Sequence, residues 1–211
     1  GLDADSVVLS PASHATYYPG AGSMTMKVLF ERGDGRILGA QIIGTDGADK
    51  RIDVIATAMR AEMTAADLTE LDLAYAPPYS SAKDPVNMAG YMIENILEGR
   101  VEQLTWEQAL APAEDEVLLD ARTPGEVARG SIDGALHVPL DELREHLDEL
   151  PRDKRLRVFC QSGLRSYVAC RILMQRGFTC ANVAGGYGFY QQTVLDREIR
   201  RRGIADCGVA V

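Results

Sequence analysis

The residues whose types and spacing could do chemistry are concentrated in one short segment. It reads Val158-Phe159-Cys160-Gln161-Ser162-Gly163-Leu164-Arg165-Ser166. The pattern predicts an apolar strand that ends in Cys160, then a short loop, then a helix that begins near Arg165. This arrangement would aim backbone N–H groups and the positive end of the helix dipole at the sulfur atom. Such a loop should favour the thiolate, which is the nucleophilic form of cysteine, and should bind a small anion beside it.

The other loop residues suit the same chemistry. Gly163 would let the loop turn with positive φ, Arg165 would close the cradle with guanidinium donors, and Ser166 would add a cap or a hydroxyl group. We predict Cys160 and Arg165 as catalytic residues and the rest of the loop as substrate-binding residues: Gln161, Ser162, Gly163, Leu164 and Ser166. The six positions from Cys160 to Arg165 suit a sulfane sulfur, whereas a loop one residue longer would suit phosphate or arsenate better.

Three further cysteines have other predicted roles. Cys170 falls inside the following helix and Cys180 begins a strand, so both are expected in the core. Cys207 lies in a Gly-rich tail, where an incidental exposed thiol is favoured over a resolving or sulfur-accepting one. The cysteine spacings match neither a zinc site nor a dense disulfide scaffold, and free thiols fit a reducing cytoplasm.

The elements around the loop alternate between strand and helix, as a parallel α/β layer requires. In the second half we predict strands at 117–120, 137–138, 155–160 and 180–184, and helices at 141–150, 165–176 and 189–202.

The first half has a different pattern. Two alternating runs, Met24–Glu31 and Arg36–Ile43, flank an Asp34-Gly35 pair that is typical of a hairpin turn. Three helices are predicted. The first spans 48 to 63, the second is short and follows the capping residue Thr64, and the third runs from Pro85 to Glu98 after the capping residue Asp84. We therefore predict an α+β domain at 1–100, a linker at 101–105 and an α/β domain at 106–211.

Composition excludes several classes of partner. A net charge of −9 over 211 residues argues against binding to a phosphate backbone. No apolar run approaches the 18 or so residues of a membrane span, and the N-terminus lacks the basic start and apolar stretch of a signal peptide. We expect a cytoplasmic protein that contacts neither membrane nor nucleic acid.

Further motifs in the second half connect the loop to a known family. They are Asp120-Ala121-Arg122, the stretch from Glu126 through Gly130, Ile132, Gly134 and Ala135 to Pro139, and Gly185-Gly186-Tyr187. With these motifs, residues 117–190 resemble a single-domain rhodanese. The resemblance implies a mostly parallel central sheet flanked by helices. It also implies a ping-pong cycle in which Cys160 takes sulfane sulfur from a donor and passes it to a nucleophilic acceptor. Asp120 and Arg122 are expected to be an ion pair that braces the loop.

The first half resembles the dimerisation domain of flavin-dependent pyridine nucleotide–disulfide reductases, and most of all the coenzyme A disulfide reductase and NADH-dependent persulfide reductase group. The residues that carry this are His14 to Ala21, Gly47 to Asp53 and Tyr75 to Pro85. The resemblance implies a homodimer formed through this domain, with tyrosines that reach the active-site cysteine of the partner subunit. Tyr17 and Tyr75 are the predicted catalytic tyrosines, with Tyr18 and Tyr79 behind them; packing at a dimer interface is the alternative role.

The chain lacks the cofactor-binding parts of such a reductase. It has no Gly-x-Gly-x-x-Gly motif and no cysteine in its first 159 residues, so we expect no cofactor for this chain alone. FAD, coenzyme A and NAD(P)H are implied for a larger parent enzyme, of which this chain would be the C-terminal portion.

Three functions follow from these observations. The leading hypothesis is a sulfurtransferase that acts on small sulfur-containing anions or low-molecular-weight persulfides. The alternatives are a rhodanese-fold binding module without turnover and a phosphatase-like enzyme that uses the same anion-binding loop. The donor and acceptor stay open among coenzyme A persulfide, inorganic polysulfide and glutathione persulfide.

Overall fold

The hairpin predicted around Asp34-Gly35 forms the centre of the first sheet in the computed structural model, which describes residues 1–201. The three antiparallel strands, in sheet order, are β1 (Ala4–Leu9), β2 (Met24–Glu31) and β3 (Ile37–Gly44). The sequence analysis did not predict β1. Its polar first residues hide the strand pattern, and the strand is fixed by pairing with β2, where Val7 lies opposite Val28.

Three helices cover one face of this sheet. They are α1 (Ala48–Arg60), α2 (Ala65–Thr69) and α3 (Pro85–Leu97). The predicted caps are confirmed, because Thr64 accepts a hydrogen bond from the Asp67 N–H group and Asp84 accepts one from the Val86 N–H group. The first helix ends three residues earlier than predicted, since Glu62 adopts a left-handed conformation with φ of 57°.

Helix and sheet meet in an apolar core. Phe30 of β2, Ile55 of α1, Leu68 of α2 and Ile93 of α3 are all fully buried there. Burial of a side chain of this size contributes about 1.5–3 kcal/mol. The core therefore holds together the elements whose loops carry Tyr17 and the 75–81 segment.

The second sheet has five parallel strands in the order β4-β8-β7-β5-β6. Their bounds are β4 (Gln103–Leu104), β5 (Glu116–Asp120), β6 (Leu136–His137), β7 (Arg155–Phe159) and β8 (Cys180–Val183). The flanking helices are α4 (Trp106–Ala109), α5 (Pro124–Val127), α6 (Leu164–Gln175) and α7 (Gly186–Arg201). The expected fold class, an α+β layer followed by an α/β layer, is confirmed.

The predicted linker takes part in this sheet, because Gln103 and Leu104 pair with Asn182 and Val183. The exact domain boundaries at 100 and 106 stay a prediction.

The prediction of a helix at 141–150 is wrong. The segment forms successive turns and a 3₁₀ helix at Leu147–Glu149, and its hydrogen bonds join residues three apart, such as Leu143 to Leu140. Acidic residues at 141, 142, 145, 148 and 149 stand three or four positions apart, where like charges destabilise an α-helix. The segment nevertheless buries Leu143 and Leu150 against the core.

The carboxyl ends of parallel strands meet at one edge of a sheet, where loops carry functional residues. Register places Asp120 of β5 beside Phe159 of β7, directly before Cys160. No helix among residues 1–201 combines the length and the apolar character that crossing a lipid bilayer would require.

Candidate functional site

The sulfur loop, residues 160–166, connects β7 to α6 as the sequence analysis predicted. Gly163 is the N-cap of α6 and has φ of 99°, a conformation that residues with a Cβ atom rarely adopt. This turn directs the loop back over the strand end. The first turn of α6 therefore begins next to the cysteine.

Cys160 is fully buried and receives hydrogen bonds from its own loop. The Gly163 N–H group donates to Sγ at 3.2 Å. Ser166 Oγ lies 3.4 Å from Sγ and 3.1 Å from the Gly163 carbonyl oxygen, so its single proton has both acceptors within reach. Donors aimed at sulfur stabilise negative charge on it, whether on a thiolate or on an attached persulfide.

Arg165 has a partner that the sequence analysis did not identify. Its guanidinium group forms a two-pronged ion pair with Glu126 of α5, with N–O distances of 2.7 and 2.6 Å. Arg165, together with hydrogen bonds from Thr123, lowers the pKa of Glu126 to about 2. The negative charge of Glu126 thus anchors the guanidinium group at the mouth of the loop. Glu126 is also the main cause of the raised pKa of Arg165, and the charge of Cys160 raises it further.

Asp120 and Arg122 brace the strand edge beside the loop. Both side chains are about 1% exposed, and Arg122 Nε and Nη2 donate to the Asp120 carboxylate at 2.9 and 2.6 Å. The guanidinium group also lies over the Tyr187 ring, 4.0 Å from its centroid. A charge buried so completely persists only when it is paired, which makes this an internal brace and leaves no face for a substrate.

The Gly185-Gly186-Tyr187 turn supports the sulfur loop from the other side. The Tyr187 N–H group donates to the Cys160 carbonyl oxygen at 2.7 Å, and the Gly188 N–H group donates to the Gln161 carbonyl oxygen at 3.0 Å. A Cβ atom on Gly186 would lie 2.6 Å from that Cys160 oxygen. Only glycine allows two backbone segments to approach this closely. In the sequence, the two adjacent glycines were the sign of this contact.

Asn182 of β8 is a loop-supporting residue that the sequence analysis missed. It is 3% exposed, and its Nδ2 group donates to the Gly163 carbonyl oxygen at 3.3 Å. Its position on a short strand gave no signal of this contact, which depends on how β8 packs beside α6.

The remaining predicted loop residues are accessible. Gln161 and Ser162 are half-buried, and Leu164 is 61% exposed at the tip of the loop. The structure therefore brings together the whole predicted loop around Cys160, with an exposed rim above a buried sulfur.

The predicted tyrosines form a separate group on the first domain. The hydroxyl groups of Tyr17 and Tyr75 hydrogen-bond to each other, and this bond raises the pKa of Tyr17. Tyr17 is 74% exposed and Tyr79 is 75% exposed. Within residues 1–201, no hydrogen bond joins Tyr17 or Tyr75 to the sulfur loop.

A buried arginine holds the two tyrosine-bearing loops in place. Arg51 of α1 donates to the Ser13 carbonyl oxygen at 2.8 Å and to the Asp84 carboxylate at 3.0 Å, while Ala15 N–H bonds to the Ser80 carbonyl oxygen at 3.0 Å. These contacts join the segment before Tyr17 to the segment after Tyr79.

Cys170 and Cys180 lie in the core of the second domain, as expected. The hydrogen bond with the Cys180 thiol, together with burial, raises the pKa of Cys170 well above its ordinary value. Cys207 lies outside the described residues. Among residues 1–201, no group of three histidine, cysteine or acidic side chains is arranged to hold a metal ion.

Comparison with known families agrees with this geometry. The profile described as "Pyridine nucleotide-disulphide oxidoreductase, dimerisation domain" matches residues 2–85, and the profile described as "Rhodanese-like domain" matches residues 105–193. The chain is a dimerisation domain of this oxidoreductase family joined to a rhodanese-like domain. Cys160 and its loop belong to the rhodanese-like domain, and the tyrosine group belongs to the dimerisation domain.

Two solved structures match this chain over both domains, and a further relative matches it over less than half of its length. Reduced Bacillus anthracis CoADR-RHD is 47% identical with a TM-score of 0.88, covering 92% of this chain and 35% of that one. A NAD-dependent persulfide reductase from A. fulgidus is 42% identical with a TM-score of 0.82, covering 90% of this chain and 34% of that one. The coenzyme A disulfide reductase of Staphylococcus epidermidis is 46% identical over 90 residues, which are 43% of this chain and 20% of that protein. The dimerisation and rhodanese-like domains thus span only part of these longer relatives.

Proposed function

We propose that the rhodanese-like domain is a sulfurtransferase that carries sulfane sulfur as a persulfide on Cys160. The observation that carries the proposal is the pair of donors at Sγ, the Gly163 N–H group and the Ser166 hydroxyl group. They lie at the start of the 12-residue helix α6, whose positive dipole end favours an anion at the same place.

The proposed cycle has two balanced steps. The Cys160 thiolate attacks the outer sulfur of a donor such as thiosulfate; the S–S bond of the donor breaks and sulfite leaves with the electron pair. A nucleophilic acceptor then attacks the outer sulfur of the persulfide, which forms a new bond to that sulfur and returns the Cys160 thiolate. The Gly163 N–H group and the Ser166 hydroxyl group would stabilise the negative charge in both states, so no proton has to move at the sulfur atom.

Arg165 would act at the mouth of the loop. Its ion pair with Glu126 holds the guanidinium group in one orientation, and the exposed Leu164 beside it leaves the rim open. This placement supports the predicted roles of Arg165 in catalysis and of Gln161 to Leu164 in substrate binding.

We further propose that the chain functions as part of a reductase for coenzyme A disulfide, persulfide or polysulfide. The support is that CoADR-RHD and a NAD-dependent persulfide reductase match this chain over both domains, and that a protein named coenzyme A disulfide reductase matches it over 90 residues. The sequence has no Gly-x-Gly-x-x-Gly motif, so the dinucleotide-binding loops for FAD and NAD(P)H would belong to other domains of such an enzyme.

The dimerisation domain would bring two copies together in that enzyme. Tyr17 and Tyr75 are exposed and share a hydrogen bond, which suits a pair of phenols that meets a partner subunit. A tyrosine hydroxyl at such an interface could hydrogen-bond a thiolate or protonate a leaving one.

Intact-protein mass spectrometry tests the sulfur-carrier proposal. After incubation with excess thiosulfate or polysulfide, the protein should gain about 32 Da, the mass of one sulfur atom on the nucleophile. Cys160→Ser should show no such gain, whereas the matched control Cys207→Ser should gain sulfur as the unaltered protein does. A folded wild-type chain that gains nothing, or a Cys160→Ser variant that still does, would refute the proposal.

A binding module is the second candidate, favoured by the complete burial of Cys160. In that case, the loop would recognise an anionic or persulfidated partner without exchanging sulfur. The same experiment separates the two functions, because a binding module adds no sulfur mass but still retains a radiolabelled anion in a filter assay.

A further inference from the structure

Two buried thiols contact each other in the core of the rhodanese-like domain. Cys170 belongs to α6, and Cys180 is the first residue of β8. Their thiol groups share a hydrogen bond, and Cys180 Sγ also lies 3.6 Å from the Cys170 carbonyl oxygen. The donors at Cys160 Sγ come from Gly163 and Ser166, so the sulfur transfer proposed above does not use this pair.

Cys180 is the accessible member of the pair. It is 6% exposed and lines an open cavity of about 930 Å³ between the two domains. Leu97 of α3 and Met174 of α6 also line this cavity, which is large enough for a small linear molecule. Cys170 is completely buried and does not line the cavity. A reagent that enters the cavity would therefore meet Cys180 first.

The surroundings of the two thiols give them different reactivities. The hydrogen bond from the Cys170 thiol lowers the pKa of Cys180, burial opposes this effect, and the positive charge of Arg155 adds to the lowering. The hydrogen bond and burial raise the pKa of Cys170, so that this thiol keeps its proton. Because the thiolate is the nucleophilic form, Cys180 would react first. The Cys170 sulfur is then close enough to attack whatever is bonded to Cys180.

We propose that Cys170 and Cys180 form a dithiol site that takes sulfane sulfur from a polysulfide and releases it as hydrogen sulfide, becoming a disulfide. In the first step, the Cys180 thiolate attacks the outer sulfur of the polysulfide. An S–S bond of the polysulfide breaks, the shortened polysulfide leaves with the electron pair, and Cys180 becomes a persulfide.

The second step releases the sulfur. The Cys170 sulfur attacks the inner sulfur of the Cys180 persulfide, the outer sulfur leaves with the electron pair, and the proton of the Cys170 thiol goes to the departing sulfide. Two thiols are oxidised to one disulfide, and one sulfane sulfur is reduced to sulfide. Cys180 alone has to be reached from the cavity, since Cys170 attacks from inside the core.

The disulfide would cross-link two elements that hold the sulfur loop. On α6, Ser166 lies one turn before Cys170, and on β8, Asn182 lies two residues after Cys180. Both side chains donate to the Gly163 carbonyl oxygen. The dithiol site nevertheless does not rest on the sulfur transfer proposed above, because neither of its steps uses the cysteine of the loop.

The double variant Cys160→Ser/Cys207→Ser tests the proposal, because Cys170 and Cys180 are the two thiols it retains. The reduced, full-length variant is mixed with excess sodium tetrasulfide in the absence of oxygen, then denatured and alkylated with N-ethylmaleimide. The chain should lose about 2 Da, the mass of two hydrogen atoms, and should take up no maleimide. Two alkylated thiols in a variant that is folded by circular dichroism would overturn the proposal, as would a disulfide between two chains.

Two further substitutions in that double variant separate the steps. With Cys170→Ala added, the reaction should stop at the Cys180 persulfide, which adds about 32 Da, the mass of one sulfur atom. With Cys180→Ala added, Cys170 should stay free for alkylation, because it does not line the cavity. Sulfur addition to Cys170 in the latter variant would contradict the assignment of Cys180 as the nucleophile.

The wild-type chain gives the same test if a variant does not fold. After tetrasulfide treatment and digestion with trypsin, peptides 166–171 and 177–197 should be linked by a disulfide, and recovery of both as alkylated peptides would overturn the proposal. Sulfur gain at Cys160 is read from a different peptide, 158–165. The dithiol site and the sulfur carrier can therefore fail independently of each other.

Discussion

Replacing Gly186 by alanine tests whether this residue positions the sulfur loop. A control variant is needed, because any alanine at positive φ also strains the backbone. Gly186 has φ of +68°, and an added Cβ atom would lie 2.6 Å from the Cys160 carbonyl oxygen, the Gln161 carbonyl carbon and the Ser162 nitrogen. All three atoms are backbone, so no side chain can turn away to make room. The loop itself has to move by several tenths of an ångström.

The structure offers a matched control in Gly177. Its φ of +81° is similar, but a Cβ atom there would meet nothing within 4 Å. An alanine in the left-handed region costs about 1–2 kcal/mol at either position. Forcing an extra methyl group into a close-packed site costs about 1–3 kcal/mol more. We therefore expect a loss of about 1–2 kcal/mol for Gly177→Ala and about 2–5 kcal/mol for Gly186→Ala.

The rate of persulfide formation on Cys160 should also fall more in Gly186→Ala than in Gly177→Ala. Because the Tyr187 N–H group holds the Cys160 carbonyl oxygen, a displaced turn misplaces the cysteine. A shift of this kind can cost on the order of 100-fold in rate. Urea unfolding gives the stabilities, and the rate of persulfide formation on Cys160 gives the chemistry. Equal stabilities and equal rates in the two variants would refute the view that Gly186 positions the loop.

Three more outcomes are expected. Asp120→Asn should destabilise the chain by about 3–5 kcal/mol in urea unfolding, because it leaves the buried Arg122 charge without its partner. The pKa of Glu126 is about 2 against an ordinary 4.5, so its ion pair should stabilise the fold fully above about pH 4.5 and lose that contribution as the pH falls through about 2. Consequently, Glu126→Gln should lose less stability than wild type over that range of acid pH in fluorescence-monitored unfolding. Tyr75→Phe should bring the raised pKa of Tyr17 back towards its ordinary value in an ultraviolet tyrosinate titration, because the hydrogen bond with Tyr75 is the largest cause of the elevation.

Each of these expectations has a control. Glu107 pairs with Arg197 on the surface, where the side chains are 67% and 57% exposed, so Glu107→Gln should cost less than about 1 kcal/mol. An Asp120→Asn variant no less stable than this control would contradict the buried-brace interpretation. Parallel acid unfolding of wild type and Glu126→Gln would show that the pair contributes nothing, and an unchanged Tyr17 titration in Tyr75→Phe would show that the two phenols do not interact in solution.

The sequence by itself determined the local features of this protein. The strand–loop–helix pattern around Cys160 identified the sulfur loop, and the caps at Thr64 and Asp84 marked helix starts. These features depend on residues within a few positions of one another, where backbone geometry, turn preference and capping act directly. For the same reason, the motifs were enough to indicate both domain families and the fold class.

Only the tertiary structure decided which distant groups meet at the loop. Glu126 and Arg165 are 39 positions apart in the chain, and their pairing depends on α5 lying beside the first turn of α6. Gly186 and Asn182 approach the loop only because β8 lies beside β7 in the sheet. Periodicity does not encode such contacts, since they arise when separate elements pack. Packing also drew the polar N-terminal segment into β1, where burial and pairing with β2 outweigh local preference.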